Sequence, residues 1–521
     1  MLRTQLHADP HGRFLHDLIL NSCDLYPHKT ALIDTSCNRR ITYADYGELV
    51  RTAARNLTAA GLTPGEVLAI YLPNSWEFAV AYHAATLAGA IPTLLNPTYR
   101  DREVRYQLEN SGAAFLITDA AMLQNINLQG LPNLRRCYST RTPSTTIEAF
   151  AQLLRPTTHP LPTPATSPQE TLAALPYSSG TTGLPKGVML SHYNLVANIF
   201  QTLGNNASEF NGQDVLLCFL PLYHIYGLNV VLNPLLTLGG TVLLMPRCNI
   251  PTLLELLTTE LVTTMPTVPP ALNALTQAAE AGQFPSGHRL RWVKSGAAPL
   301  APELARRFTA LTGILICQGY GMTEASPVTH IGYLAPELYK PESVGQSLCQ
   351  TECRVVDDLG NDVAPGAPGE LVMRGPQFML GYWNEPQASA AVLRDGWYWS
   401  GDVVSRDQDD FYYVLDRRKE MIKYKGFPVA PAEVESVLME HPAVCDCGVV
   451  GRQDAAAGEI PVAFVVLRDG FPSCSKLEEE LSSFVADRLT HYKQPREIHF
   501  IDAVPKTASG KILRRELRKA L

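Results

Sequence analysis

From Val215 to Pro246 the chain runs for 32 residues without an Asp, Glu, Lys or Arg. Such a run either spans a bilayer or forms the interior of a sheet covered on both faces. Pro221, Gly227, Pro234, Gly239 and Gly240 cut it into pieces of strand and helix length. That punctuation favours a buried sheet in an α/β protein, and no membrane span is expected.

The flanking sequence repeats the theme. Val67 to Leu72 reads as a strand, Ser75 caps a helix running to about Leu87, and Ile91 to Leu95 returns to strand. Beyond a proline-rich linker at 155–168 the alternation resumes. Strand-like Leu172 to Tyr177 precedes helical Ser191 to Leu203, and strand-like Leu290 to Lys294 precedes helical Pro302 to Leu311. This order predicts an α/β fold: a large N-terminal domain of two doubly wound, mostly parallel sheets. After about Gly345 the glycines and prolines punctuate short β-like runs, so 345–416 is expected to be a small β-rich subdomain. The charged segment Asp416-Arg417-Arg418-Lys419 ends the large domain (1–416), and 417–521 forms a small mobile α+β domain.

The 521 residues carry a net charge of −7, which gives no basic footprint for nucleic acid or an anionic membrane. The cysteines number eleven and are mostly scattered. The close pairs Cys349/Cys353 and Cys445/Cys447 lack a zinc site's full ligand set, so free thiols in a reducing cytoplasm are expected. The residues up to Pro10 contain no apolar run of a secretory signal.

The sharpest chemical signal is Tyr177-Ser-Ser-Gly-Thr-Thr-Gly-Leu-Pro-Lys-Gly-Val188, which follows an apolar strand. Ser178, Ser179, Thr181 and Thr182 offer hydroxyls, Gly180 and Gly183 let backbone N–H groups approach a ligand, and Lys186 adds a cation. Together they suit a polyphosphate. The spacing is not that of a Walker loop, because neither glycine leads to Gly-Lys-Ser/Thr.

This loop resembles the signature of the adenylate-forming superfamily, which includes acyl-CoA synthetases and firefly luciferase. Further motifs follow in the family's order: Pro221-Leu-Tyr-His-Ile-Tyr-Gly227, Lys294-Ser-Gly-Ala-Ala-Pro-Leu300, Gln318-Gly-Tyr-Gly-Met-Thr-Glu324 and Gly381-Tyr-Trp-Asn384. Trp399-Ser-Gly-Asp402, Asp416 to Phe427 and Pro505 to Arg514 complete the series. The wording around Lys294, Gln318 and Lys423 is most similar to 4-coumarate–CoA ligases and luciferases.

The resemblance implies an acid–thiol ligase that uses ATP, Mg²⁺ and coenzyme A. It puts Thr323 and Glu324 beside the phosphates, with Glu324 holding the metal. Tyr320 stacks on adenine, with Gly296, Ala297, Ala298, Gln318, Gly319, Gly321 and Met322 around the nucleotide. Asp402 and Arg417 hold the ribose. Lys511 bridges the acyl carboxylate and the α-phosphate, Lys419 is the hinge, and Lys423, Lys425 and Gly426 line the pantetheine channel after rotation. His224 gates the thiol. Tyr226, Gly227, Asn229, Val230, Ala298, Gly319, Lys294, Pro327 and Val328 are expected around the acyl chain. Val230 stands where plant 4-coumarate ligases often carry a small polar residue. The expected acid is cinnamate-like, with a medium-chain fatty acid as the alternative. An acyl carrier protein is the alternative acceptor.

Overall fold

The computed structural model describes residues 12–521 except 142, 144–146, 163–166, 179–183, 206–209, 426, 455–456 and 508–509. The charge-free stretch forms the middle of the larger sheet. Its strands Val215–Cys218 and Thr241–Leu244 pair in parallel, and Thr30–Asp34 and Thr264–Thr267 continue the sheet on either side. Trp292–Ser295 and Leu315–Gly321 extend the parallel order. Arg39–Thr42 closes one edge antiparallel, and Val328–Ile331 and Gln346–Ser347 close the other. Among the described residues, no helix is long and apolar enough to cross a membrane.

Between its two strands, the charge-free stretch makes a π-helical turn, Gly227–Leu232, then a helix, Asn233–Leu238, which Gly239 ends at φ 78°. Every residue from Gly227 to Leu238 is buried. Protein covers every face of the segment, so most of its side chains are apolar, and its polar Asn229, Asn233 and Thr237 are buried with them.

A second parallel sheet comprises Ile91–Leu94, Val67–Tyr71, Phe115–Thr118, Arg136–Ser139 and Glu148–Ala149. The helix Trp76–Leu87 starts where Ser75 Oγ accepts from Phe78 N at 3.2 Å, as a Ser N-cap should. It touches strands of both sheets, which explains why it is buried nearly all round. Residues 156–162 of the proline-rich stretch carry neither helix nor strand.

Glu352–Val356, Gly369–Arg374, Leu393–Arg394, Trp397–Arg406 and Tyr412–Arg417 form an antiparallel sheet. The chain then builds a small α+β domain with its own core. The strands Val444–Asp454 and Gly458–Leu467 pack with the helices Pro431–Met439 and Ser475–Ala486 around Val434, Leu438, Val449, Val465 and Leu481. The fold is the expected α/β one: a large domain of parallel sheets followed by a small domain.

Candidate active site

In open α/β sheets, ligands sit beyond the carboxyl ends of the parallel strands. A cavity of about 1680 Å³ lies there and reaches across to the small domain. Pro266 comes from the end of Thr264–Thr267, Gly296 and Ala297 follow Trp292–Ser295, and Gly319 to Glu324 run off the end of Leu315–Gly321. Lys506, Thr507, Lys511 and Arg515 enter from the small domain.

The strand Leu315–Gly321 carries Gly319, Tyr320 and Gly321 to the cavity at its C-terminal end. Gly321 must be glycine, because a Cβ there would run into the carbonyl oxygen of Pro327. Gly321→Ala is expected to lower stability by about 1–3 kcal/mol, as overpacking against backbone does. Denaturant melts would read this, and an unchanged midpoint would contradict it.

Tyr320 Oη donates to Asp402 Oδ2, and Arg417 Nε lies 3.1 Å from Asp402 Oδ1. Burial and the Asp402 charge push the Tyr320 phenol well above its ordinary range, so it remains a donor. Asp402 itself lies just behind the wall formed by Ser400, Gly401 and Arg417. A carboxylate has about four acceptor positions, so ribose hydroxyls could still share it. Glu324 is buried in a short turn, Thr323–Ala325, and accepts from Tyr382 Oη at 2.8 Å.

Lys186 and Ser178 face each other across an antiparallel pair that closes the hydroxyl-rich loop. Both line the cavity, and the Lys186 ammonium lies 5.8 Å from the Tyr382 ring centroid. The crown of the loop, Ser179, Gly180, Thr181, Thr182 and Gly183, lies outside the described residues, as does Gly426.

Lys511 meets these groups from the small domain. Thr507 N donates to Lys511 O at 2.8 Å, and Lys511 N donates to Thr507 Oγ1 at 3.1 Å, which tightens the loop behind its side chain. Gly510, at φ 84°, lies against Pro270, where a Cβ would come within 2.8 Å of the ring. Burial and the neighbouring Arg417 charge lower the Lys511 pKa to about 8, against the opposing pull of Asp402, Glu420 and Glu324. His224 also lines the cavity. Its Nδ1 accepts from Tyr226 N at 3.2 Å, and burial lowers its pKa to about 4, so the ring is neutral at pH 7.

Of the residues expected around the acyl chain, Tyr226, Val230, Lys294, Gly319, Pro327 and Val328 line the cavity, and Gly296, expected near the nucleotide, does too. The Tyr226 hydroxyl donates to Lys294 O at 3.2 Å, so the ring, not the hydroxyl, forms the wall. Lys294 lies beside the Phe210 and Trp292 rings. Met322, Thr323 and Lys419 are on the cavity wall too.

Four expected lining residues sit elsewhere. Gly227 backs onto Pro221, whose carbonyl leaves no room for a Cβ. Asn229 is fully buried behind the wall, with its amide spent on backbone and on Asn233. Ala298 follows Ala297, whose left-handed backbone (φ 67°) turns the chain away. Gln318 is buried off the cavity, donating to Pro341 O at 2.8 Å and accepting from Leu300 N. Lys423 and Lys425 are exposed on the small domain, away from this cavity.

The model of the AMP-binding enzyme family matches residues 20–383, and that of the AMP-binding enzyme C-terminal domain matches residues 433–511. The chain belongs to the AMP-binding enzyme family. It is 38% identical to a 4-coumarate–CoA ligase of Vanilla planifolia, over 97% of this chain and 93% of that one. The crystal structure of an anthranilate CoA ligase in complex with anthranoyl-AMP superposes with a TM-score of 0.89 at 27% identity, covering 98% of this chain and 97% of the other. An o-succinylbenzoate coenzyme A synthetase of Bacillus subtilis, in complex with ATP and magnesium ion, gives 0.82 at 31% identity, covering 96% and 99%. Within the family, this chain is an AMP-forming acyl- or aryl-CoA ligase.

Family membership accounts for the order of the motifs, but the sequence reading missed several cavity residues. Tyr382 stood in the quoted Gly381-Tyr-Trp-Asn384 motif without a role, yet it joins Lys186 to Glu324. Phe210 and Ile331 also line the wall, and they carry no local signal beyond apolarity.

Proposed function

We propose that this ligase activates a flat arylacrylic acid of the cinnamate or 4-coumarate type and transfers it to coenzyme A. The observation that carries this reading is the acyl end of the cavity. Tyr226, Val230, Phe210, Pro327, Val328 and Ile331 make an apolar wall whose Tyr226 hydroxyl is already bonded to backbone. Such a wall suits a planar ring held by contact area. Similarity to 4-coumarate–CoA ligases over nearly the whole chain points the same way.

In the first step the acid's carboxylate oxygen attacks the α-phosphorus and pyrophosphate leaves. Both partners are anionic, so cations and fixed geometry lower the barrier. On this reading Lys511 spans the carboxylate and α-phosphate, Lys186 and the hydroxyl loop hold the outer phosphates, and Asp402 with Arg417 holds the ribose. The Glu324 carboxylate and Thr323 hydroxyl are hard oxygen donors, a set that fits Mg²⁺ held chiefly by phosphate and water. When bound, the ion would neutralise phosphate charge. In the second step the thiol of coenzyme A attacks the acyl carbon and AMP leaves. The neutral imidazole of His224 stands at this end of the cavity without adding charge to the path of the thiol.

Pyrophosphate release, measured with aryl, arylacrylic and medium- to long-chain fatty acids, tests the reading. Arylacrylic acids are expected to give the highest kcat/KM, and omitting coenzyme A should stop turnover after one adenylate. Val230 supplies no partner for a ring hydroxyl, so cinnamate and 4-coumarate are expected to differ by no more than about tenfold. Preference for aliphatic acids would replace the arylacrylic assignment. Turnover with a holo-acyl carrier protein but not with coenzyme A would replace the acceptor.

A further inference from the structure

The turn Ser326-Pro327-Val328 leads from Glu324 to the acyl wall. Ser326 adopts a left-handed backbone conformation (φ 67°), unusual for a residue with a Cβ, so something must hold the turn. Two buried asparagines do so. Asn198 grips Val328 from both sides of its peptide, donating to Val328 O at 2.8 Å and accepting from Val328 N at 3.1 Å. Asn229 donates to Ser326 O at 2.7 Å and to Leu195 O at 3.2 Å.

The second contact is the end of a longer chain of bonds whose direction is fixed. The Asn229 group facing two backbone carbonyls has to be its NH₂, since carbonyls only accept. Its oxygen therefore accepts from Asn233 Nδ2 at 2.9 Å. The Asn233 oxygen must then accept from His83 Nε2 at 3.1 Å, which leaves His83 Nδ1 as acceptor for the Tyr46 hydroxyl at 2.6 Å. Burial holds the His83 ring neutral, with a pKa of about 4, as this arrangement requires. Tyr46, His83, Asn233, Asn229, Asn198 and Ser326 are all fully buried. Away from water, these groups have only their protein partners, and loss of a link orphans a buried group.

We propose that Asn198 and Asn229 are positioning residues that set the affinity and selectivity for the acid by clamping the Ser326–Val328 turn, with Tyr46, His83 and Asn233 fixing the orientation of the Asn229 amide. Neither asparagine lines the cavity, so neither touches the acid. The inference rests on the assignment of Pro327 and Val328 to the acyl site.

Steady-state kinetics on Asn229→Asp, Asn198→Ser and Tyr46→Phe test it. Asn229→Asp keeps the acceptor for Asn233 and loses the donor to Ser326. It is expected to raise KM for the acid about tenfold, the effect of one buried hydrogen bond, and to leave KM for ATP within about twofold. Asn198→Ser should do the same, and Tyr46→Phe, one hydroxyl at the far end, should raise the acid KM about two- to threefold. The kcat/KM ratio between a ring acid and an aliphatic acid should fall in step. A merely structural role would reduce the active fraction, and so kcat, without splitting the two KM values. Unchanged acid KM in the folded variants, or parallel rises for acid and ATP, would overturn the proposal. If Asn229→Asp does not accumulate as folded protein, Asn198→Ser and Tyr46→Phe decide by the same criteria. A wild-type enzyme that activates aliphatic acids alone would sink the arylacrylic assignment and leave the clamp testable on those acids.

Discussion

Replacing Lys511 with alanine is expected to reduce ATP–pyrophosphate exchange by about 10²–10³-fold, the scale seen when a charge-stabilising group is removed from a reacting centre. Thioester formation from supplied acyl-adenylate should stay within a few-fold of wild type, because that step no longer has a carboxylate and an α-phosphate to bridge. The ammonium lies in the cavity with Arg417, near Asp402 and Glu324, so its loss removes positive charge where two anions would meet. The lowered pKa gives the same role a pH signature. Lys511 is a cation below its pKa of about 8 and neutral above it. In the free enzyme, kcat/KM for adenylation should therefore fall as pH rises through about 8, approaching tenfold per unit. That limb should vanish in Lys511→Ala. Equal loss of both half-reactions, or an alkaline limb that survives the substitution, would exclude Lys511 as the bridging cation.

Lys419→Pro is expected to slow thioester formation at least tenfold while leaving ATP–pyrophosphate exchange within a few-fold, as freezing a hinge torsion would. The residues around Lys419 are tied down on both sides. Arg418 N donates to Gly401 O, and its guanidinium pairs with Glu370 and Asp358 of the large domain, each at 2.6 Å. Glu420 pairs with Arg518 of the small domain. Lys419, exposed between these anchors, lies in a turn where Glu420 N and Met421 N donate to Arg417 O at 2.9 and 3.0 Å, the local bonds that a hinge torsion would have to release. Links between the domains oppose rotation: Asp416 accepts from Ala432 N at 3.0 Å and lies 3.9 Å from Arg514, and Gln277 Nε2 donates to Cys445 Sγ at 3.7 Å. Proline holds φ near −65° and cannot follow a large swing. Single-turnover assays of each half-reaction separate the outcomes. Selective loss of adenylation, or no change in either step, would count against the hinge.

Many of the residues that line the cavity were legible in the sequence because they come in contiguous words. Gly319 to Glu324 occupy successive positions at the end of one strand, and Ser178 and Lys186 are the two feet of one loop. A local motif keeps its meaning whichever sheet carries it. The readings that went astray concern which way a side chain faces inside a buried segment. Asn229 and Val230 are neighbours in a segment, Gly227 to Leu238, that is buried throughout, and nothing in its periodicity tells wall from backing. The π-helical turn Gly227–Leu232 sends Val230 to the cavity and Asn229 to Ser326. Asn198 illustrates the same problem from a distance, since its partner Val328 is 130 residues away.

The charge-free stretch from Val215 to Pro246 marks the division. By itself, the sequence determined that these residues are buried, that prolines and glycines break them into short elements, and that the chain is an α/β ligase of the AMP-binding kind. Burial and motif chemistry are local properties, written in residue type and spacing. Only the tertiary structure decided that the two strands lie side by side inside a nine-stranded sheet among the described residues, and that the turn between them backs the cavity wall. It also decided that Asn229 inside that turn points away from the cavity, because strand order and the pairing of buried amides depend on contacts between distant parts of the chain.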